Sequence, residues 1–363
     1  MNKKQKEIKL SPMVLKKLRE TSGYTVAEIA KKLGISKEKI ISVEEGESSF
    51  TLIQIKKLAD IYKRPLAAFF STSIPDLPML VDYRINRTKK LSPGIYQAER
   101  KVQYLSEKIK EISEKRSEFP IFPQELNADE LAKKFKSYLN VEIKKSQSSE
   151  EILKYYKEIL ERKLKIFIIE YPLKADDIRA FSFYSDISSI VLNEEDKASI
   201  KLFSLFHEIC HLLRETSGIC SLELEIKQGS QDIETFCNLF AAEFLVPLDD
   251  LKKECEKFEQ INDEVVNQLT EIYGVSKQVI MIRLLWLRYI NIDYYEEFKK
   301  RMEKSLKEKK SGRRNWEKVF LNRIGNFALN ETKKAYNEGK ITYYEASSIL
   351  DLKTKYTEKF IIT

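Results

Sequence analysis

The chain has 363 residues with 42% hydrophobic and 11% aromatic content, enough for two or three buried cores and too apolar for a disordered protein. No run approaches the roughly 18 apolar residues of a membrane span, and Met1–Lys9 is basic without the apolar stretch of a secretory signal, so a cytoplasmic protein is expected. The net charge is +8, and residues 1–70 hold 15 Lys/Arg against 8 Asp/Glu, so nearly all the excess sits at the N-terminal end; a basic small domain fits a phosphate-backbone partner, with a solvated lysine-rich surface as the plainer alternative.

Residues 11–70 read as a bundle of short helices. Ser11 caps the first and Pro12 opens it. Thr25 and Glu28 make the capping box of a helix over Val26–Leu33, and Gly34 supplies the positive φ that ends it. Ser36 caps a third helix from Lys37 to about Glu44, closed by Gly46. In a fourth, Thr51–Tyr62, the residues Ile55, Leu58, Ala59 and Tyr62 share one face. Two helices joined by a short Gly-containing turn form a helix-turn-helix unit, whose second helix enters the major groove of DNA.

Residues 71–92, with Pro75, Pro78 and Pro93 among Thr, Ser and Asp, read as a connector. Ile95–Lys115 is periodic in Val102, Leu105, Ile109 and Ile112, which predicts a spacer helix broken by Pro120 and Pro123. Leu126–Leu139 and Ser149–Arg162 read as amphipathic helices. Lys165–Glu170, Phe181–Tyr184 and Ser189–Asn193 are β-branched and aromatic, the pattern of a small sheet. Helices are expected from there to the end, with the Lys/Arg-rich stretch Lys299–Arg314 as an exposed linker. The four cysteines (Cys210, Cys220, Cys237, Cys255) form no CxxC pair and read as reduced thiols.

The two histidines of the chain, His207 and His211, lie four apart in a segment with helical periodicity, Ala198–Arg214. That spacing sends both imidazoles out of one helical face, where they can bind one ion. Glu208 sits about 100° further around, beside a metal-bound water without being a ligand. Zinc lowers the pKa of such a water toward about 7, and a neighbouring carboxylate can take its proton and pass it to a leaving amine. Apolar residues around the cluster would keep it dry.

A catalytic zinc needs a third protein ligand and an open position, and with no third histidine that ligand must be Asp, Glu or Cys. The next helix, Ile233–Leu245, offers Glu234 and Glu243. Glu234 shares a stripe with Cys237, Asn238, Ala241 and Leu245, whereas Glu243 falls on the opposite face and is expected in solvent. Helical phase therefore favours Glu234, with Cys237 as the rival and Cys210 as a packing residue. The donor types point to a single Zn²⁺; spacing alone would also admit manganese or iron.

The segment Thr25-x-x-Glu28-Ile29-Ala30-x-x-Leu33-Gly34-Ile35-Ser36, with Ile40, Glu44 and Gly46, resembles the Cro/repressor-type (XRE) helix-turn-helix family. That resemblance implies that Ser36, Lys37, Lys39 and Ser42 face DNA. Val26 stands where the family commonly has Gln, and Glu38, Glu44, Glu45 and Glu47 crowd the recognition segment, so protein contacts are the other use open to it. Phe206-His207-Glu208-Ile209-Cys210-His211-Leu212-Leu213, followed by Glu234-x-x-x-Asn238-x-Phe240-Ala241-Ala242-Glu243-Phe244-Leu245-Val246-Pro247, resembles the ImmA/IrrE metallopeptidases, although Cys237 replaces the usual Ala. Lys63–Phe70 and Asp82-Tyr83-Arg84 look like the linker of members that also carry an XRE domain. Tyr273-Gly274-Val275-Ser276, Arg283-Leu284 and Glu338–Tyr343 are similar to their C-terminal parts.

The resemblance implies gluzincin-like coordination by His207, His211 and Glu234, with Glu208 as general base. The expected architecture is α+β and mostly helical. It comprises a helix-turn-helix bundle over residues 9–70, a linker with a spacer helix over 71–124, a metallopeptidase domain with a small β-sheet over 125–250, and a C-terminal helical region over 251–363. The function implied is cleavage of an XRE-type repressor or antitoxin, relieving repression of a mobile element, toxin or stress operon, with DNA as a further partner. An extended substrate is expected to add as a strand near Ile190–Asn193. The alternative is a transcriptional regulator in which the metal fold serves as sensor or scaffold; a degenerate enzyme of that kind would be expected to lose Glu208, which this chain keeps.

Overall fold

A computed structural model describes residues 7–72, 91–175, 178–216, 218–221, 232–305, 315–352 and 354–362. The expected connector from residue 73 to 90, the Asp82-Tyr83-Arg84 motif and the end of the basic stretch, 306–314, lie outside the described residues. The chain forms two compact units, with the division falling between Lys101 and Val102 and residues 173–175 counted with the first.

The first unit contains β1 (Glu7–Ile8), α1 (Pro12–Glu20), α2 (Val26–Leu33), α3 (Lys37–Glu44), β2 (Phe50–Thr51), α4 (Leu52–Tyr62), a 3₁₀ turn over Leu66–Phe70 and the start of α5 (Pro93–Ile112). Its helix ends follow the expected chemistry. Thr25 and Glu28 form a complete capping box, Gly34 takes φ 71°, and the Ser36 hydroxyl accepts from Lys39 N–H. Ser11 occupies the cap position of α1, but its side chain makes no capping bond. Val14, Leu18, Ile29, Ile40, Ile55, Leu58 and Tyr62 make the core. The antiparallel β1–β2 pair was not expected, because two residues per strand are too few for a period-2 pattern. Pro93, assigned above to the connector, opens α5 instead. That helix stops at Ile112, well short of Pro120. Beyond it the backbone bonds elsewhere: Ser117 N–H donates to Asp186 O at 2.8 Å, and Glu118 N–H to Leu164 O at 2.9 Å.

The second unit runs through α6 (Ala128–Leu139), α7 (Ser149–Leu164), β3 (Phe167–Tyr171), β4 (Ile178–Phe183), β5 (Ser189–Asn193), α8 (Ala198–Leu213), β6 (Ile219–Ser221) and α9 (Ile233–Leu245). It continues with α10 (Leu248–Cys255), α11 (Asp263–Tyr273), α12 (Lys277–Trp286), α13 (Ile292–Ser305), α14 (Trp316–Ile324), α15 (Asn326–Asn337), α16 (Tyr343–Leu350) and α17 (Thr354–Thr357). Helix α13 extends into the stretch expected as linker from Lys299, and Arg301 there pairs with Asp263 at 2.6 Å.

The sheet has the order β3-β5-β4-β6, parallel between β3 and β5 and antiparallel elsewhere. Two expectations need correction. Strand β6 interrupts what was read as helices to the end; three residues carry too little periodicity to announce it. Strand β5, Ser189–Asn193, lies inside the sheet with both edges paired, so Ile190–Asn193 cannot accept an added strand. Among the described residues, the sheet edges are β3, packed by α14 and α15, and β6.

Helix α8 packs on β4 and β5 and between α7 and α9, and every side chain from Lys201 to Leu213 is buried. Its N-terminal part is pinned electrostatically. Lys201 on α8 and Lys157 on α7 both donate to Glu170 on β3, at 2.6 and 2.9 Å. Phe206 stacks on Phe244 of α9 with centroids 3.9 Å apart, and Tyr156 meets Phe206 edge-on at 5.0 Å. This aromatic wall holds the two helices in fixed register.

Candidate metal centre

Because α8 is buried on all sides, its polar residues can persist only where partners satisfy them. His207 and His211 leave the same face, and their Nε2 atoms approach to 3.2 Å. His207 Nδ1 contacts Asn238 Oδ1 at 2.9 Å, and His211 Nδ1 contacts Thr216 Oγ1 at 3.2 Å. The amide oxygen of Asn238 accepts only, and the Thr216 hydroxyl gives its own proton to His211 O at 3.0 Å. Both imidazoles therefore carry a proton on Nδ1, which in the neutral ring leaves the Nε2 lone pairs turned toward each other. Glu234 on α9 closes the triangle: its carboxylate oxygens lie 3.2 Å from His207 Nε2 and 3.3 Å from His211 Nε2.

Three lone-pair donors converging in this way repel one another unless a cation sits between them. The spacing suits one. Tetrahedral metal–ligand bonds of 2.0–2.1 Å require donor–donor edges of about 3.3 Å. Glu234 Oε1 is also buried without a hydrogen-bond partner. Among the described residues, this is the group of His, Cys, Asp and Glu whose donor atoms converge closely enough to hold a metal ion.

Glu208 is fully buried and projects toward β4, where Ser182 Oγ donates to its Oε2 at 2.5 Å. The segment leaving α8 crosses the face of His211 at Gly218. A Cβ there would lie 2.3 Å from His211 Cδ2 and 2.7 Å from Nε2, so only glycine fits.

The rival ligand is placed differently. Cys237 is buried with Cys210 as its neighbour, and burial followed by the hydrogen bond to Cys210 pushes its thiol up, away from the thiolate a metal would need. Glu243 corrects the sequence reading. It does lie on the face of α9 opposite Glu234, but it is only 3% exposed there and is ion-paired with the fully buried Arg283, which also donates to Val246 O at 2.9 Å. A helix packed on both faces has no solvent side for its carboxylates.

Sequence reasoning passed over Ser182, Thr216 and Gly218. Ser182 left one signal, a hydroxyl within the buried apolar run of β4; nothing in the sequence marks the other two.

On the first unit, Ser36 and Lys37 are exposed, while Lys39 and Ser42 are half-buried. The Ser36 hydroxyl serves its helix cap, and Lys39 Nζ donates to Ser48 Oγ. Glu44, one of the acids crowding the recognition segment, turns inward onto Arg19, which binds both its oxygens at 2.7 and 2.8 Å. Its charge is thereby removed from the exposed face.

Residues 161–285 match the family model of the IrrE N-terminal-like domain (Peptidase M78), and residues 15–69 match the helix-turn-helix model. The chain thus carries an N-terminal XRE-type helix-turn-helix domain and a C-terminal IrrE/ImmA-like domain. Two similar curated proteins are named HTH-type transcriptional regulatory proteins. One, from Thermococcus gammatolerans, is 32% identical over 16% of this chain and 19% of its own length. The other, from Saccharolobus solfataricus, is 38% identical over 15% of this chain and 18% of its own. The chain therefore spans under a fifth of these relatives. No helix among the described residues is long and apolar enough to cross a membrane.

Proposed function

We propose that this chain, which joins a helix-turn-helix domain to an IrrE/ImmA-like domain of the M78 peptidases, is a zinc-dependent regulatory endopeptidase acting in the cytoplasm on a helix-turn-helix repressor or antitoxin. The observation that carries the reading is the convergence of His207, His211 and Glu234, with Glu208 buried one residue beyond the first histidine. His207, His211 and Glu234 are the ligands, oriented by Asn238 and Thr216 through the outer imidazole nitrogens. A zinc ion held by these ligands would lower the pKa of a bound water toward neutrality and offer positive charge to the scissile carbonyl. The Glu208 carboxylate accepts the proton of the attacking water and returns it to the departing amine. The aromatic wall of Tyr156, Phe206 and Phe244 excludes bulk water from behind the ligands. An extended substrate would pair along β6, which follows Gly218 and is a sheet edge among the described residues, rather than along β5.

The test is incubation of the zinc-loaded protein with a candidate helix-turn-helix repressor, beside Glu208→Gln and a chelated control. Cleavage by the wild type alone supports the proposal, and cleavage that persists in Glu208→Gln refutes it.

A second reading is favoured by the names of the N-terminal relatives: a DNA-binding regulator in which the metal centre senses or braces. In either case Ser36, Lys37, Lys39 and Ser42 are the proposed DNA-facing positions on α3.

A further inference from the structure

We infer that Ser182 is a positioning residue for Glu208, a role that rests on the metallopeptidase reading above. A hydroxyl has one proton to give, and here its direction is fixed. Gly218 N–H donates to Ser182 Oγ at 3.2 Å, so in that bond the hydroxyl accepts. Its own proton goes to Glu208 Oε2 at 2.5 Å. The Ser182 main chain is held in place, because its N–H donates to Gly218 O at 2.9 Å and its strand is paired with β5 and β6. Gly218 in turn passes so close to the ring of His211 that a Cβ on it would overlap the ring.

A chain of contacts thus runs from a metal ligand through Gly218 and Ser182 to the base. A carboxylate's two oxygens are fixed in one plane, so anchoring Oε2 from the sheet sets the direction of the other oxygen. Along β4 the same-face neighbour of Ser182 is the apolar Ala180, and Ser182 has no exposed surface. The hydroxyl therefore has no solvent-facing role, and its placement is explained by the carboxylate it holds.

The test uses full-length protein reconstituted with cobalt(II) and acetohydroxamate as the probe, whose hydroxyl bonds the base carboxylate when its oxygens take the metal. Binding is followed by the visible absorption of the cobalt. Glu208→Gln sets the floor. Ser182→Ala is expected to keep its cobalt and to bind acetohydroxamate roughly tenfold or more weakly, while Ser182→Thr, which retains the hydroxyl, recovers the affinity. Ser182→Cys, a weaker donor of similar size, is expected to fall between them and gives the same reading if the alanine variant does not fold. Unchanged affinity in Ser182→Ala overturns the inference, as does loss of cobalt in that variant, which would place the serine's role in the ligands or the fold. A wild type that binds no cobalt overturns the metal reading itself and this inference with it.

Discussion

Replacing Glu170 by Gln tests how α8 is anchored. Its carboxylate lies between Lys157 and Lys201, with all three side chains less than a tenth exposed. Burial pushes this carboxyl up, but the charges and hydrogen bonds of Lys157 and Lys201 more than reverse the effect and hold it at about 2, against an ordinary 4.5. A folded-state pKa below the unfolded value means stability that is present above about pH 4.5 and lost as pH falls toward 2. The shift corresponds to about 3 kcal/mol at pH 7, at roughly 1.4 kcal/mol per pH unit. The independent expectation for a buried ion pair stripped of one partner, about 3–5 kcal/mol, agrees. Chemical denaturation of wild type and Glu170→Gln between pH 7.5 and pH 3.5 should show the variant less stable by about 3 kcal/mol at the upper end, with the gap shrinking by about 1 kcal/mol at the lower. An equal loss at every pH, or none, would refute the reasoning.

Other consequences can be checked separately. Gly218→Ala forces its new methyl group or His211 to move by about 1 Å, where zinc sites tolerate about 0.2 Å; zinc affinity, measured by chelator competition, should fall at least about tenfold. Glu243→Ala leaves Arg283 charged in the core and should cost about 3–5 kcal/mol in denaturant unfolding, whereas a solvated Glu243 would cost almost nothing. Changing Lys37 and Lys39 together to Ala should lower the salt slope of DNA binding by about 2 if both meet phosphates; an unaltered slope removes them from the interface.

Much of this architecture was written locally. Thr25 with Glu28, Gly34 and Ser36 act through neighbours a few residues away, and the four-residue spacing of His207 and His211 is a property of one helix. Helical phase also sufficed to prefer Glu234 over Glu243 as third ligand, but it could not separate Glu234 from Cys237 on the same stripe. What the sequence hid depends on contacts between distant elements. Glu243 looked solvated because one helix cannot reveal that Arg283 waits on its other side. Strand β6 and the position of β5 inside the sheet follow from pairing, which no single strand encodes. Ser182 became legible only when β4 was laid against α8.

Metal content tests the central claim most directly. Elemental analysis of wild type, Glu234→Ala and Cys237→Ala, each equilibrated with limiting zinc and desalted, should give one zinc per chain in the wild type and in Cys237→Ala, and a clear loss in Glu234→Ala. A wild type without zinc, or a Glu234→Ala variant that retains it in full, would contradict the account.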